Sequence, residues 1–331
     1  MSISTHASTP PTYDAIEAAA ARIAPHAHVT PVLRSRSLDE LAGCELHFKA
    51  ENLQRIGAFK FRGACNAVFG LDEASAQRGV VTQSSGNHGA ALALACRLRG
   101  IPAHVVVPHN APQVKLAAIR AFGAHVVTCE PTIAARDAAM AQVLATTGGE
   151  AVHPYNDARV IAGQGTATLE LLRQSGGLDA VIAPVSGGGL LSGTALAAHG
   201  VDPAIEVWGA EPAQAADAHA SLARGERVTD MVPDTICDGL RAQLGTLTFA
   251  ILREHAAGIL LAGEAEIVAA MRLIWERLKL VVEPSAAVPL AVVLRERERF
   301  AGRRVGIVLS GGNVDLDTLP ALWSLGALSR S

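Results

Sequence analysis

Lysine is scarce in this chain. Only Lys49, Lys60, Lys115 and Lys279 occur among 28 basic residues, so a surface needing positive charge alone is usually built here with arginine. A guanidinium cannot form an imine, whereas a desolvated lysine can lose its proton and attack a carbonyl. Cysteine is nearly as rare. Cys44, Cys65, Cys96, Cys129 and Cys237 are odd in number and lack metal-type pair spacing, so they read as free thiols and argue against structural zinc. No apolar run has transmembrane length, and the opening MSISTHASTPPTYD has no signal-peptide core. A cytoplasmic protein with no membrane partner is therefore expected. The net charge of −3 supplies no basic stripe for nucleic acid. Repeats and low-complexity tracts are lacking as well.

What the chain does have is core. Half of its 331 residues are hydrophobic and 18% are charged, the balance of a packed, enzyme-like globule of one large or two medium domains. Short β-branched runs at 45–49, 80–82, 103–107, 125–129, 180–183, 206–209, 258–261 and 305–309 alternate with Ala-rich helical stretches. That alternation predicts an α/β fold with two open, mostly parallel sheets flanked by helices. Residues 80–150 carry their own strand–helix succession. They are expected to form a small domain inserted into a large one made of 1–79 and 151–331.

Ligands in open α/β sheets bind beyond the carboxyl ends of strands, and three such ends carry small polar turns. Ser84-Ser85-Gly86-Asn87-His88-Gly89 opens a helix, where free amides and Ser and Asn side chains make either a carboxylate site or an ordinary cap. Ser186-Gly187-Gly188-Gly189-Leu190 can close backbone amides around a phosphate monoester. It is no dinucleotide fingerprint, because the last glycine of GxGxxG would fall on Ser192, and no GK[ST] follows for a P-loop. Leu309-Ser310-Gly311-Gly312-Asn313 offers a hydroxyl. Lys60 stands between Phe59 and Phe61, at the mouth of a helix. Alone, each of these has a bland structural explanation. Together, an imine-forming lysine, a phosphate cup, a carboxylate cradle and a lone hydroxyl are what pyridoxal phosphate and an amino acid require.

The segments GAFKFRGA, SSGNHG, HPYND-ARVIAGQGT, SGGGL, DGL, VEPSAAV and LSGGNVD, in that order, resemble the fold-type II (tryptophan synthase β-like) pyridoxal-phosphate enzymes of the serine/threonine dehydratase–serine racemase family. The resemblance runs from about residue 13 to 320, and it implies no regulatory domain after LSGGNVD. It further implies that Lys60 holds the cofactor as a Schiff base and exchanges the Cα proton. Phe59 would lie against the ring, Asn87 would bond its phenolic oxygen, Gly239 would approach it and Ser310 would bond its nitrogen. Residues Ser186, Gly187, Gly188, Gly189 and Leu190 would bind the phosphate. Ser84, Ser85, Gly86, Asn87 and His88 would cradle the substrate carboxylate, and Arg136 would meet a second carboxylate. Ser85 matches the serine that faces the lysine in racemases of the family. Glu211, Ala215 and Asp217 match its divalent-cation loop, suited to Mg²⁺, Ca²⁺ or Mn²⁺. Glu283 would support either the cofactor side or the metal side.

A serine at the ring nitrogen, unlike an aspartate, leaves it unprotonated, which favours prompt loss of a β-leaving group over a long-lived carbanion. The implied reaction is dehydration and deamination of a β-hydroxy-α-amino acid to a 2-oxo acid and ammonia, with L-threonine and L-serine as default substrates. The alternatives are L-threo-3-hydroxyaspartate through Arg136, phenylserine through the room left by Ala242, and serine racemisation through Ser85. Ser186, Ala242, Ala90 and Ile56 depart from the family pattern, the last two where animal racemases carry polar residues near a nucleotide effector. A homodimer is expected by the same likeness. A non-catalytic amino-acid sensor would have lost Lys60 or the glycine turn, and both are intact.

Overall fold

The computed structural model describes residues 9–111 and 113–327. Ten strands form two sheets. The larger contains β1 (Val32–Leu33), β2 (Glu45–Ala50), β7 (Ala180–Pro184), β8 (Glu206–Pro212), β9 (Gly258–Ala262) and β10 (Arg304–Leu309), in the order β1-β2-β10-β7-β8-β9. The smaller contains β3 (Val80–Gln83), β4 (Ala103–Pro108), β5 (His125–Cys129) and β6 (Glu150–Ala151), in the order β5-β4-β3-β6. All pairings are parallel except β1 with β2. The smaller sheet draws its strands only from residues 80–151, and β6 straddles position 150.

Both faces of each sheet are covered, as the near-continuous apolar strands require. In β10, Val305, Ile307 and Leu309 enter one core with the helices Glu264–Leu278 and Pro284–Arg295, while Val308 enters another with the helices Ala158–Ser175 and Gly189–Val201. In the small sheet, Val80, Val105 and Val107 face the helices Lys60–Phe69 and Asn87–Arg99, whereas Val81 and Val106 meet Met140 of the helix Ile133–Thr147. The helix Lys60–Phe69 thus belongs to the core of the small sheet, although its residues precede that sheet in the chain.

Two close helix crossings hold that helix in place. A Cβ on Gly163 would lie 2.6 Å from Gly63 Cα, and one on Gly193 would lie 2.5 Å from Gly165 N. The helix Ala158–Ser175 therefore touches backbone to backbone with the helix beginning at Lys60 on one side and the helix beginning at Gly189 on the other. Any larger side chain at these crossings would push the two helix starts apart.

A candidate cofactor and substrate site

Parallel pairing brings the ends of β2, β10, β7 and β8 to one edge of the large sheet, and each runs into one of the segments singled out above. Lys60 lies at a helix start, as its setting predicted. The chain reaches it from β2 through two 3-10 turns, then pairs Ala58 with Gly311 in an isolated bridge. Phe59 N donates to Ser310 O at 3.0 Å and Gly312 N to Gly57 O at 2.9 Å, so the lysine segment is zipped to the C-terminal turn. Lys60 Nζ donates to Pro154 O at 3.0 Å and lies 5.2 Å from the Phe59 ring centre. Burial pushes this amine down from 10.5 to about 8.

Two residues on, Arg62 anchors the same helix. It is 1% exposed, and its guanidinium pairs with Glu51 at 2.7 and 2.8 Å and with Glu170 at 2.8 and 3.1 Å. Lys49 joins Glu170 at 2.6 Å. Two buried cations and two carboxylates thereby tie the end of β2, the lysine helix and the helix Ala158–Ser175 together.

The Ser84–Gly86 turn leads into the helix Asn87–Arg99, with Gly86 N donating to Ser84 Oγ at 3.3 Å. The amides of Asn87, His88 and Gly89 have no helical acceptor before them, which makes this an anion-binding helix start. Asn87 Oδ1 accepts from Asn313 Nδ2 at 2.9 Å, and Asn87 Nδ2 reaches Glu283 Oε1 at 3.5 Å. Glu283 also accepts from Asn313 N at 3.1 Å, which sets it between Asn87 and the C-terminal turn. Ser85 sits half-buried in the turn. His88 is buried. Desolvation first, then the Lys60 and His153 charges, holds its imidazole well below the usual range. Burial likewise brings His153 to about 4, and its Nδ1 accepts from Asn156 N at 2.9 Å. Both imidazoles are neutral at neutral pH, so neither adds a second charge beside the lysine.

Arg136 lies in the first turn of the helix Ile133–Thr147. The next residue, Asp137, accepts from Gln83 Nε2 at 3.2 Å, and Gln83 directly precedes Ser84. Arg136 Nε is buried and has no hydrogen-bond partner among the described residues. A buried donor in that state costs about 1–3 kcal/mol unless a ligand satisfies it.

The glycine turn after β7 is built for an anion. Ser192 N makes the first helical bond, to Gly188 O, which leaves the amides of Gly189, Leu190 and Leu191 open at the helix start. Gly188 has φ +90, and a Cβ there would lie 2.7 Å from Thr248 Cβ; one on Gly187 would lie 2.4 Å from the Tyr155 ring. Thr248 Oγ1 donates to Gly187 O at 2.7 Å. Ser186 is less passive than expected. Its Oγ donates to Ala242 O at 3.1 Å and accepts from Ala242 N at 2.9 Å, latching the loop that follows Gly239 to the turn. Gly239 N donates to Ser285 Oγ at 3.2 Å. Sequence reasoning missed this outer ring of Tyr155, Thr248, Ser285 and Asn313. The signal available for it was one of only two tyrosines, inside HPYND.

After β8, Glu211 accepts from Ala218 N and His219 N, both at 2.9 Å, and Asp217 from Leu244 N at 3.3 Å. Burial dominates at both carboxyls and pushes Glu211 up to about 8 and Asp217 up to about 6. The Asp217 charge raises Glu211 further, while the backbone amides and Arg227 only partly offset burial. Two desolvated carboxylates beside the buried Ala215 have the chemistry of a hard, oxygen-ligated cation site. No group of three or more His, Cys, Asp or Glu among the described residues could hold a metal on its own, so a cation here would need the Ala215 carbonyl and water.

The family model described as "Pyridoxal-phosphate dependent enzyme" matches residues 23–311. The chain belongs to that family. This pyridoxal-phosphate-dependent enzyme is 52% identical over 310 residues to the β-hydroxyaspartate dehydratase of Paracoccus denitrificans, covering 94% of this chain and 98% of the relative. It is 44% identical to the L-threo-3-hydroxyaspartate ammonia-lyase of Saccharomyces cerevisiae, covering 95% and 97%. The crystal structure of serine racemase from Dictyostelium discoideum superposes with a TM-score of 0.90 at 48% identity, covering 92% of this chain and 99% of that one. The expected fold-type II architecture and the dependence on pyridoxal phosphate stand. No helix among the described residues is long and apolar enough to cross a membrane.

Proposed function

We propose that this pyridoxal-phosphate-dependent lyase eliminates water from 3-hydroxyaspartate and releases an enamine. That enamine tautomerises to an imine, whose hydrolysis takes a water back and gives oxaloacetate and ammonia, so that the net loss is ammonia alone. The observation that carries the reading is Arg136, whose Nε is buried without a partner on the helix that Asp137 bonds to Gln83, the residue before the Ser84–His88 turn. L-Serine and L-threonine carry one carboxylate and offer no second one to that Nε. 3-Hydroxyaspartate carries two. A site built to bond a charged group discriminates against analogues that lack it, and a charge-assisted bond is worth about 1.5–3 kcal/mol, or roughly 10- to 150-fold in kcat/KM.

The remaining roles follow from the chemistry of each position. Bound pyridoxal phosphate supplies an electron-accepting ring and a carbonyl that captures amines. The amides around Gly187, Gly188, Gly189 and Leu190, with Ser186 beside them, hold its phosphate. Ser310 would bond the ring nitrogen and Asn87 the phenolic oxygen, and Phe59 and Gly239 would line the ring. Lys60 supplies the amine and, freed during turnover, takes the Cα proton. Its lowered proton affinity makes it a competent base near neutral pH. The Ser84–His88 amides orient the α-carboxylate, and Ser85 offers a proton on the opposite face, which admits some racemisation. Glu211, Asp217 and the Ala215 carbonyl hold Mg²⁺ or a similar cation. The reading also includes a small domain at 80–150 within a large one, and a cytoplasmic homodimer, which sedimentation and fractionation would test.

The deciding experiment measures 2-oxo acid and ammonia together from L-threo- and L-erythro-3-hydroxyaspartate, L-serine, L-threonine and phenylserine, in the wild type and in Arg136→Ala. Equimolar release, fastest from a hydroxyaspartate, with that preference lost in the variant, is the expected result. Faster turnover of L-threonine or L-serine, or an unchanged preference in Arg136→Ala, would overturn the substrate assignment. D-serine accumulating without oxo acid would move the chain to the racemases.

A further inference from the structure

A second cluster of chemistry lies away from this site. His199 and His255 stand near the C-terminal ends of the helices Gly189–Val201 and Thr246–His255. Their Nδ1 atoms are 3.4 Å apart while their ring centres are 5.5 Å apart, so the two nitrogens face a common point and the rings diverge from it. His199 Nε2 lies 3.2 Å from Ile205 O, an acceptor, which puts the proton on Nε2 and leaves the Nδ1 lone pair directed at His255. The Glu254 carboxylate lies 3.9 Å from His255 Nε2, within ion-pair reach of the second ring but beyond hydrogen-bond distance.

The His199 lone pair calls for something positive between the two nitrogens, either a proton on His255 Nδ1 or a cation shared by both. A hydrogen bond is the simplest alternative, but 3.4 Å is longer than the usual range of about 2.7–3.2 Å. Two imidazoles bound to one tetrahedral cation at about 2.0–2.1 Å have nitrogens about 3.3–3.4 Å apart. A square-planar cation would bring neighbouring nitrogens to about 2.9 Å, so the spacing favours Zn²⁺ or Co²⁺ over Cu²⁺. Metal-binding histidines also characteristically donate their other N–H to a carbonyl or carboxylate, which is the arrangement around His199.

We propose that His199 and His255 form a two-histidine site for Zn²⁺ through their Nδ1 atoms, with water filling the other positions. No third His, Cys, Asp or Glu among the described residues completes the group, so the site is exchangeable rather than structural. It is distinct from the carboxylate loop at Glu211, whose oxygen donors suit hard cations. It is also remote from the glycine turn. His199 lies ten residues along the helix from Gly189, about 15 Å at the α-helical rise. The second helix begins beside that turn, where Gly245 N and Thr248 Oγ1 both bond Gly187 O. A cation joining the far ends of these helices therefore clamps the pair that carries the turn.

The test uses pyridoxal-phosphate-loaded, chelator-treated enzyme in saturating Mg²⁺, titrated with Zn²⁺ and Co²⁺ by equilibrium dialysis. Sites are counted as the difference between wild type and His199→Ala or His255→Ala. One Zn²⁺ per chain, bound at least tenfold more weakly in each alanine variant and kept in His255→Cys, is expected. The intense visible bands of tetrahedral Co²⁺ should appear with the wild type. Equal binding by wild type and both alanine variants overturns the site, as does no Zn²⁺ bound to the wild type. If the variants misfold, wild-type footprinting with diethylpyrocarbonate decides. Protection of His199 and His255 by Zn²⁺ supports the proposal, and unprotected modification of both refutes it.

Discussion

Replacing Lys60 with methionine should make the protein without cofactor more stable at neutral pH. The Lys60 amine falls from 10.5 to about 8 because burial strips it of water, with no other cause of comparable weight. At about 1.4 kcal/mol for each tenfold change in proton affinity, the folded state gives up about 3 kcal/mol wherever the amine is protonated in both states. The residue retains some exposure, so this is a ceiling. Losing the bond to Pro154 O costs about 1 kcal/mol, which leaves a net gain of about 2 kcal/mol for Lys60→Met. The sign of the pH dependence follows. Below pH 8 the full penalty stands. Between pH 8 and 10.5 the unfolded chain binds a proton that the folded chain has released, so wild-type stability rises with pH and the advantage of the variant shrinks. Urea unfolding of both apoproteins from pH 6.5 to 10.5 measures this. Competitive labelling of amines, read at the Lys60 peptide, should give a midpoint near 8. Equal stabilities, a gap that widens with pH, or a labelling midpoint at 10 or above would refute the reasoning. The functional consequence is large: at pH 7 a midpoint of 8 leaves about 300 times more free amine than one of 10.5.

Three other outcomes are expected. Gly188→Ala forces a Cβ into positive φ and against Thr248, a strain of about 1–3 kcal/mol that should weaken pyridoxal phosphate binding roughly 5- to 150-fold, measured by fluorescence titration of the apoprotein. Glu211 and Asp217 carry folded values raised to about 8 and about 6. They therefore contribute stability that is present at acid pH and lost as pH rises through those values, and Mg²⁺ should restore it. The Mg²⁺-dependent increase in Tm should accordingly grow from pH 5.5 to 8.5, and vanish in Glu211→Gln. Arg62→Leu leaves the buried Glu51 and the partly buried Glu170 with Lys49 as the remaining cation and should cost about 3–5 kcal/mol in urea unfolding, with Glu51→Leu in the same chain recovering part of the loss.

Local chemistry made much of this legible. The eight longer strands were found within a few residues, because buried parallel strands are continuous β-branched runs and their ends carry Gly and Ser. β1 and β6 were missed: two-residue strands have no period to detect. The helix Pro284–Arg295 was missed for the opposite reason. It is buried on nearly every side, so it shows no polar face and even tolerates Pro289. The lysine and the three polar turns were visible as residue types near strand ends, where the sheet rule says ligands bind, whereas the carboxylate loop was marked only by the family resemblance.

Residue types, short spacings and the motifs they form therefore determined the fold class and the cofactor, and singled out Lys60 as the candidate amine. Only the tertiary structure decided how those parts act on one another. Glu283 lies against Asn87 and Asn313 because its segment folds back on Gly311. Ser186 latches Ala242 from 56 residues away, and His199 meets His255 across the same interval. The amine of Lys60 is shifted by an enclosure that chain neighbours alone do not build. Its distance from the glycine turn is held by Gly63 against Gly163 and Gly165 against Gly193. The physical reason is reach: a residue's period and turn preference are set within about four positions, whereas desolvation and helix crossings depend on which surfaces the whole chain brings together.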